Sequence, residues 1–170
     1  MAGLKPDAVV LVATVRALKH HGGAAKADLG REDLATLERG LPNLLQHVDN
    51  IKNVFGLPCV VAVNAFPTDT AAELQLVEDK CRELGVRVAL SEVWAKGGEG
   101  GRALAEEVVR LCGQPSDFRY SYDLDGSIED KLEAICRRVY RADGVALTPA
   151  AKKQAQRLTE LGFGGLPICM

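Results

Sequence analysis

A chain of 170 residues is long enough to bury one substantial core and short enough to be a single ordinary domain. Its 47% hydrophobic and 26% charged residues, with a formal net charge of −2 and both signs interspersed, fit a globular protein and give no electrostatic footprint for nucleic acid. No run approaches the roughly eighteen consecutive apolar residues of a membrane span, and the first residues lack the basic segment and apolar core of a secretory signal, so the cytoplasm is the expected compartment.

The first apolar run, Asp7 to Thr14, is continuous rather than alternating and predicts a strand buried on both faces. Val15 to Gly30, with Arg16, Lys19, His20, His21 and Gly22-Gly23, reads as a long loop. His20 and His21 do not share a helix face and have no neighbouring carboxylate or Cys, so they are expected as solvated loop residues. Arg16 and Lys19 lie just beyond a strand end, where a cation can meet an anion. From Arg31 to Val54, Leu34, Leu37, Leu41, Leu44, Leu45, Val48 and Ile51 recur at three and four residues, which predicts an amphipathic helix. Pro42 predicts a kink there, or two helices with the first ending at Gly40.

Pro58 to Asn64 predicts a second buried strand, followed by Ala65 to Thr70. Thr70 and Glu73 have the spacing of a capping box, and a helix is expected over Ala71 to Leu84 with Gly85 at its end. Val86 to Leu90 is the third strand. Ser91 to Gly101, S-E-V-W-A-K-G-G-E-G-G, then reads as a loop rich in backbone N–H groups, leading into a helix over Arg102 to Cys112. Three strands separated by helices predict an α/β fold, a parallel sheet with flanking helices, over 1–113. A smaller helical and extended portion is expected over 114–170. Phe118 to Leu124 is extended there, Ser127 to Tyr140 is helical, Ala146-Leu147 is a short strand, and Thr148-Pro149 starts a helix that Gly162 closes.

Five cysteines, Cys59, Cys81, Cys112, Cys136 and Cys169, include no C-x-x-C pair and are expected to be small buried hydrophobes rather than disulfides or metal ligands. The sequence has no G-x-x-x-x-G-K-[ST] and no G-x-G-x-x-G after the first strand. Gly97 to Gly101 has the composition of an anion-binding nest or, equally, of a flexible connector. Glu92 and Glu99 have no spacing that makes them an acid–base pair, and no Ser/His/Asp or Cys/His arrangement is supported. Phe66 and Trp94 carry more. Each follows a strand end among polar residues or glycine, on the edge where ligands of parallel sheets bind. Two such rings make a clamp for a flat heterocycle, worth roughly 0.5–1.5 kcal/mol per stacked pair beyond buried area. Asn64, at the end of its strand, offers an amide to the edge of a base or pterin.

The stretches Lys5 to Gly23 (K-P-D-A-V-V-L-V-A-T-V-R-A-L-K-x-H-G-G), Gly40 to Leu44 (G-L-P-N-L), Val60 to Thr70 (V-V-A-V-N-x-F-P-T-D-T), Ala89 to Gly101 (A-L-S-E-V-W-A-K-G-G-E-G-G) and Gly162 to Met170 (G-F-G-x-L-P-I-C-M) closely resemble formate–tetrahydrofolate ligase. The resemblance runs along essentially the whole chain. It implies an internal-to-C-terminal portion of a longer polypeptide: the later half of a P-loop NTPase-like α/β domain plus part of the next region, without the P-loop.

It also implies an activity. ATP phosphorylates formate to formyl phosphate, and N10 of tetrahydrofolate attacks the acyl carbon to give 10-formyltetrahydrofolate. Phe66 and Trp94 match the aromatic pair around the pterin, and Pro67 and Leu90 match neighbours lining that pocket. Asn64, Ser91, Lys96, Gly97 and Gly98 would face the nucleotide. The intact enzyme would use ATP, Mg²⁺ and a monovalent cation, and would be a homo-oligomer, a tetramer; this portion alone is expected to be inactive, its partner being the remainder of the polypeptide. The alternative is a non-catalytic folate- or nucleotide-binding α/β module.

Overall fold

The computed structural model describes residues 3–169. Met1, Ala2 and Met170 lie outside the described residues, and with them the first positions weighed for a secretory signal and the last of the G-F-G-x-L-P-I-C-M motif. The chain divides into two compact units: Pro6–Asp117, and Phe118–Met170 together with the residues ahead of Pro6.

The first unit is built on a three-stranded parallel sheet in the order β1 (Val9–Ala13), β2 (Cys59–Asn64), β3 (Arg87–Ser91). Val9 lies opposite Cys59, and Asn64 opposite Ser91. Side chains alternate between the two faces. On one face Val61 and Val63, with Val9, Leu11, Ala13 and Val88, meet the helices α1 (Val15–His21), α2 (Leu34–Asp49) and α3 (Ala71–Glu83) through Val15, Leu18, Leu37, Leu41, Leu44, Val48, Val77 and Cys81. On the other, Val60 and Ala89 pack against Leu104, Val108 and Leu111, which belong to the helix Arg102–Cys112. This is the α/β parallel sheet flanked by helices that the sequence predicts.

Four local expectations are corrected. The first strand is not buried on both faces: Val10 is exposed and Val12 is 64% exposed. β1 is an edge strand, and the helix Arg102–Cys112 packs mainly on β2 and β3. Val15 to Gly30 is not a loop. Thr14 accepts a hydrogen bond from the Ala17 N–H at 3.0 Å and caps α1, and a 3₁₀ turn follows at Lys26–Asp28. The helix is too short for apolar periodicity to reveal, since only Val15 and Leu18 face the core.

The third correction concerns α2, where the two-helix alternative is overturned: one helix runs through Gly40 and Pro42 into a π-helical turn, Asn50–Val54. Glu38, whose carbonyl Pro42 leaves without its N–H, is exposed, as is Pro42. Gly40 is a packing glycine rather than a helix end. A Cβ there would lie 1.8 Å from the Leu18 carbonyl oxygen, and one at Gly22 would lie 1.8 Å from that of Thr36. The two glycines let α1 and α2 touch backbone to backbone.

Fourth, the cysteines are all free but not all buried. Cys59 and Cys81 are core residues, and burial pushes the Cys81 thiol up to about 11. Cys112, the last residue of the helix Arg102–Cys112, is exposed, and so is Cys169.

In the second unit, Ser127 and Asp130 form a reciprocal capping box for Ile128–Arg138, and Thr148 caps Pro149–Glu160. Lys131 is 1% exposed and donates to the carbonyls of Gly164 and Leu166 at 2.6 and 3.1 Å, while the Tyr122 hydroxyl bonds both Ile168 N and O. No strand forms at Ala146-Leu147, whose neighbour Val145 instead donates its N–H to Glu133 Oε2 at 2.9 Å.

Candidate functional site

Three strand ends meet at the carboxyl edge of the sheet. The central contribution is the turn after β2. Pro67 presets its own φ at the second position of Phe66-Pro67-Thr68-Asp69. Phe66 N–H donates to Asp69 Oδ2 at 2.9 Å, and Asp69 N–H donates back to the Phe66 carbonyl at 2.9 Å. The turn runs directly into the capping box of α3, where Glu73 N–H donates to Thr70 Oγ1 and Thr70 N–H to Glu73 Oε2. Phe66 is therefore half-buried on a rigid corner, with Pro67 exposed beside it.

From the third strand, Trp94 arrives on a single helical turn, α4 (Val93–Lys96). The residue is 64% exposed, and its Nε1–H donates to the Ala65 carbonyl at 3.1 Å. Ala65 N–H in turn donates to the Ser91 carbonyl at 3.1 Å. An exposed indole tied by its one polar atom to the residue preceding Phe66 is a ring presented to solvent on a fixed mount. Leu90, 38% exposed, alternates onto the same face as Val88, and Asn64 closes β2 half-buried opposite Ser91.

From the first strand end comes Arg16. Its guanidinium carbon lies 4.3 Å from the centroid of the Phe66 ring, and Nη2 donates to Thr68 Oγ1 at 3.1 Å. Sequence reasoning placed Arg16 at this edge but missed its partner. The only signal was its position two residues beyond Thr14.

Lys19 meets its anion inside the chain, in the Glu73 carboxylate. It is 1% exposed and donates to Glu73 Oε1 and to the Arg31 carbonyl, each at 2.7 Å. Burial raises the Glu73 carboxyl, but hydrogen bonds from Lys19, Thr70 and Asp33 outweigh it and hold the group below the usual carboxylate range.

The Ser91 to Gly101 stretch is locally ordered rather than a loop throughout. α4 passes into a 3₁₀ turn, Gly97–Gly101, which leads into α5 (Arg102–Cys112). Glu92 N–H donates to the Gly100 carbonyl at 3.1 Å, so the stretch closes on itself. Lys96 pairs with Glu92 and Arg102 with Glu99, both at 2.6 Å. A Cβ at Gly97 or Gly98 would meet nothing within 4 Å, so both face open space. Among the described residues no group of three His, Cys, Asp or Glu is placed to hold a metal ion, and His20 and His21 are exposed.

By topology this is an α/β protein with a three-stranded parallel sheet flanked by helices. The sequence model of formate–tetrahydrofolate ligase matches residues 1–170, and the chain belongs to that family. No helix among the described residues is long and apolar enough to cross a membrane.

Proposed function

We propose that the chain supplies the folate seat of an ATP-dependent ligase that joins formate to tetrahydrofolate. In that reaction formate is phosphorylated by ATP to formyl phosphate, with release of ADP. N10 of tetrahydrofolate then attacks the acyl carbon, the C–O bond to phosphate breaks, and 10-formyltetrahydrofolate and phosphate leave. Phe66 and Trp94 flank the pterin, while Pro67 and Leu90 line its surroundings. Asn64, Ser91, Lys96, Gly97 and Gly98 face the nucleotide side of the same edge without forming its phosphate cradle. ATP, Mg²⁺ and the monovalent cation are held by the remainder of the polypeptide, and the intact enzyme is a cytoplasmic homotetramer. Five free cysteines, two of them exposed, accord with a reducing compartment.

The observation that carries the reading is the bond from Trp94 Nε1 to the Ala65 carbonyl, which mounts one ring on the loop that bears the other. Trp94 is the only tryptophan, so its fluorescence reports the site alone. Titration with tetrahydrofolate is expected to quench it, and Phe66→Ala to weaken that binding about tenfold, as loss of a stacked ring implies. An unquenched Trp94 at saturating tetrahydrofolate overturns the reading. Phosphoryl transfer is catalysed by positioning and charge around the phosphates, so these 170 residues alone are expected to release no ADP in a formate-dependent manner. Measured turnover by the isolated chain would contradict that assignment.

A further inference from the structure

We infer that Arg16 is a positioning residue of this site, fixing the Phe66 ring and the Phe66–Asp69 turn so that one face of the ring is left for a flat ligand. The inference rests on the reading of Phe66 as a neighbour of the pterin. Arg16 makes two contacts with the turn at once. Its guanidinium lies over the ring, 4.3 Å from the centroid, and its Nη2 donates to Thr68 Oγ1 two residues further on. A planar cation stacked on an aromatic face is attracted by the ring quadrupole, and Arg does this better than Lys because it stays flat and keeps its donors in the plane. Meanwhile Arg16 Nε is buried without a partner. An unsatisfied buried donor is destabilising, and here it accompanies the pose that serves the ring and Thr68 together.

The mount of Arg16 is itself fixed. It occupies the first turn of α1, whose start is capped by Thr14, and Lys19, three residues on, is locked to Glu73 and the Arg31 carbonyl. Glu73 also caps α3 at the end of the Phe66–Asp69 turn. Arg16 and the turn are therefore anchored to one carboxylate from opposite sides. With the guanidinium on one face, Phe66 has a single face to offer, and its orientation is set before any ligand arrives.

The test uses the full chain with Arg16→Met, Arg16→Lys and Phe66→Leu, reading tetrahydrofolate affinity from Trp94 fluorescence beside thermal unfolding. Arg16→Met is expected to weaken tetrahydrofolate about tenfold while lowering Tm by no more than about 3 °C, and Arg16→Lys to restore part of the affinity. Wild-type affinity in Arg16→Met, or losses that simply follow Tm across the variants, overturns the inference. A second readout needs no ligand. Stacking places the Arg16 Nε–Hε proton in the ring current of Phe66, so its NMR resonance should lie upfield and return to the ordinary range in Phe66→Leu. If the wild-type chain fails to bind tetrahydrofolate, the folate reading falls, and this resonance alone decides the Arg16–Phe66 contact: a shift that disappears in Phe66→Leu upholds it, and an unshifted proton overturns it.

Discussion

Gly40 and Gly98 show how differently one residue type is used in this chain. At Gly40 a methyl group would sit 1.8 Å from the Leu18 carbonyl oxygen, which no rotamer can relieve, because both groups are backbone. At Gly98 the same methyl meets nothing within 4 Å. Gly40→Ala is therefore expected to destabilise the chain by about 2–3 kcal/mol, lowering Tm by roughly 4–12 °C, whereas Gly98→Ala should shift it by less than about 2 °C. Thermal unfolding by circular dichroism separates the two, and equal Tm values would contradict the backbone contact. Neither glycine's role was legible from spacing. Gly40 beside Pro42 carries the signature of a helix end, and the carbonyl that requires a glycine there comes from a residue 22 positions earlier. Phe66 and Trp94 were legible because strand ends punctuated by polar residues and glycine mark the carboxyl edge. The stack of Arg16 on Phe66 was not, because a contact between the first turn of α1 and a turn 50 residues further on leaves no periodicity.

At the scale of elements, the buried ion pair between α1 and α3 sets a pH dependence. Glu73 keeps a folded-state pKa below its unfolded value. The stability it contributes is thus fully present above the ordinary carboxylate pKa and is lost as pH falls through the lower, folded one. Urea unfolding at pH 7 and in the acid range should show that loss, and Glu73→Gln should flatten the acid limb. An unchanged limb in the variant would assign the acid sensitivity elsewhere. Lys19→Met leaves the 0%-exposed Glu73 without its counter-charge, and is expected to destabilise by about 3–5 kcal/mol.

The edge strand makes a different prediction. β1 pairs on one side only and exposes Val10 and Val12 on its uncovered face. Exposed apolar edges invite pairing, so sedimentation should detect concentration-dependent self-association that Val12→Lys reduces. The three strands of the sheet, the capping box of α3 and its closing glycine were readable, since each is a local signal. α1 was missed although both of its ends were marked, by Thr14 as cap and by Lys19, His20 and His21 in the last turn. Cap signals outlast apolar periodicity in a helix of seven residues.

For the whole molecule, the central claim is geometric: two aromatic side chains on neighbouring strand ends of a parallel sheet receive one pterin between them. Fold alone does not establish this, since parallel α/β sheets host many chemistries. What supports it is a set of ties converging on Ala65 to Asp69, from Trp94 on one side and Arg16 on the other. Preorganisation of that kind reduces the ordering that a ligand must impose on binding. The most direct measurement is the set of intermolecular NOEs between tetrahydrofolate and the isotope-labelled chain. The account predicts NOEs from the reduced pterin ring to ring protons of both Phe66 and Trp94 in the same complex. NOEs to only one of the two rings, or from the glutamate tail in place of the pterin, would contradict it.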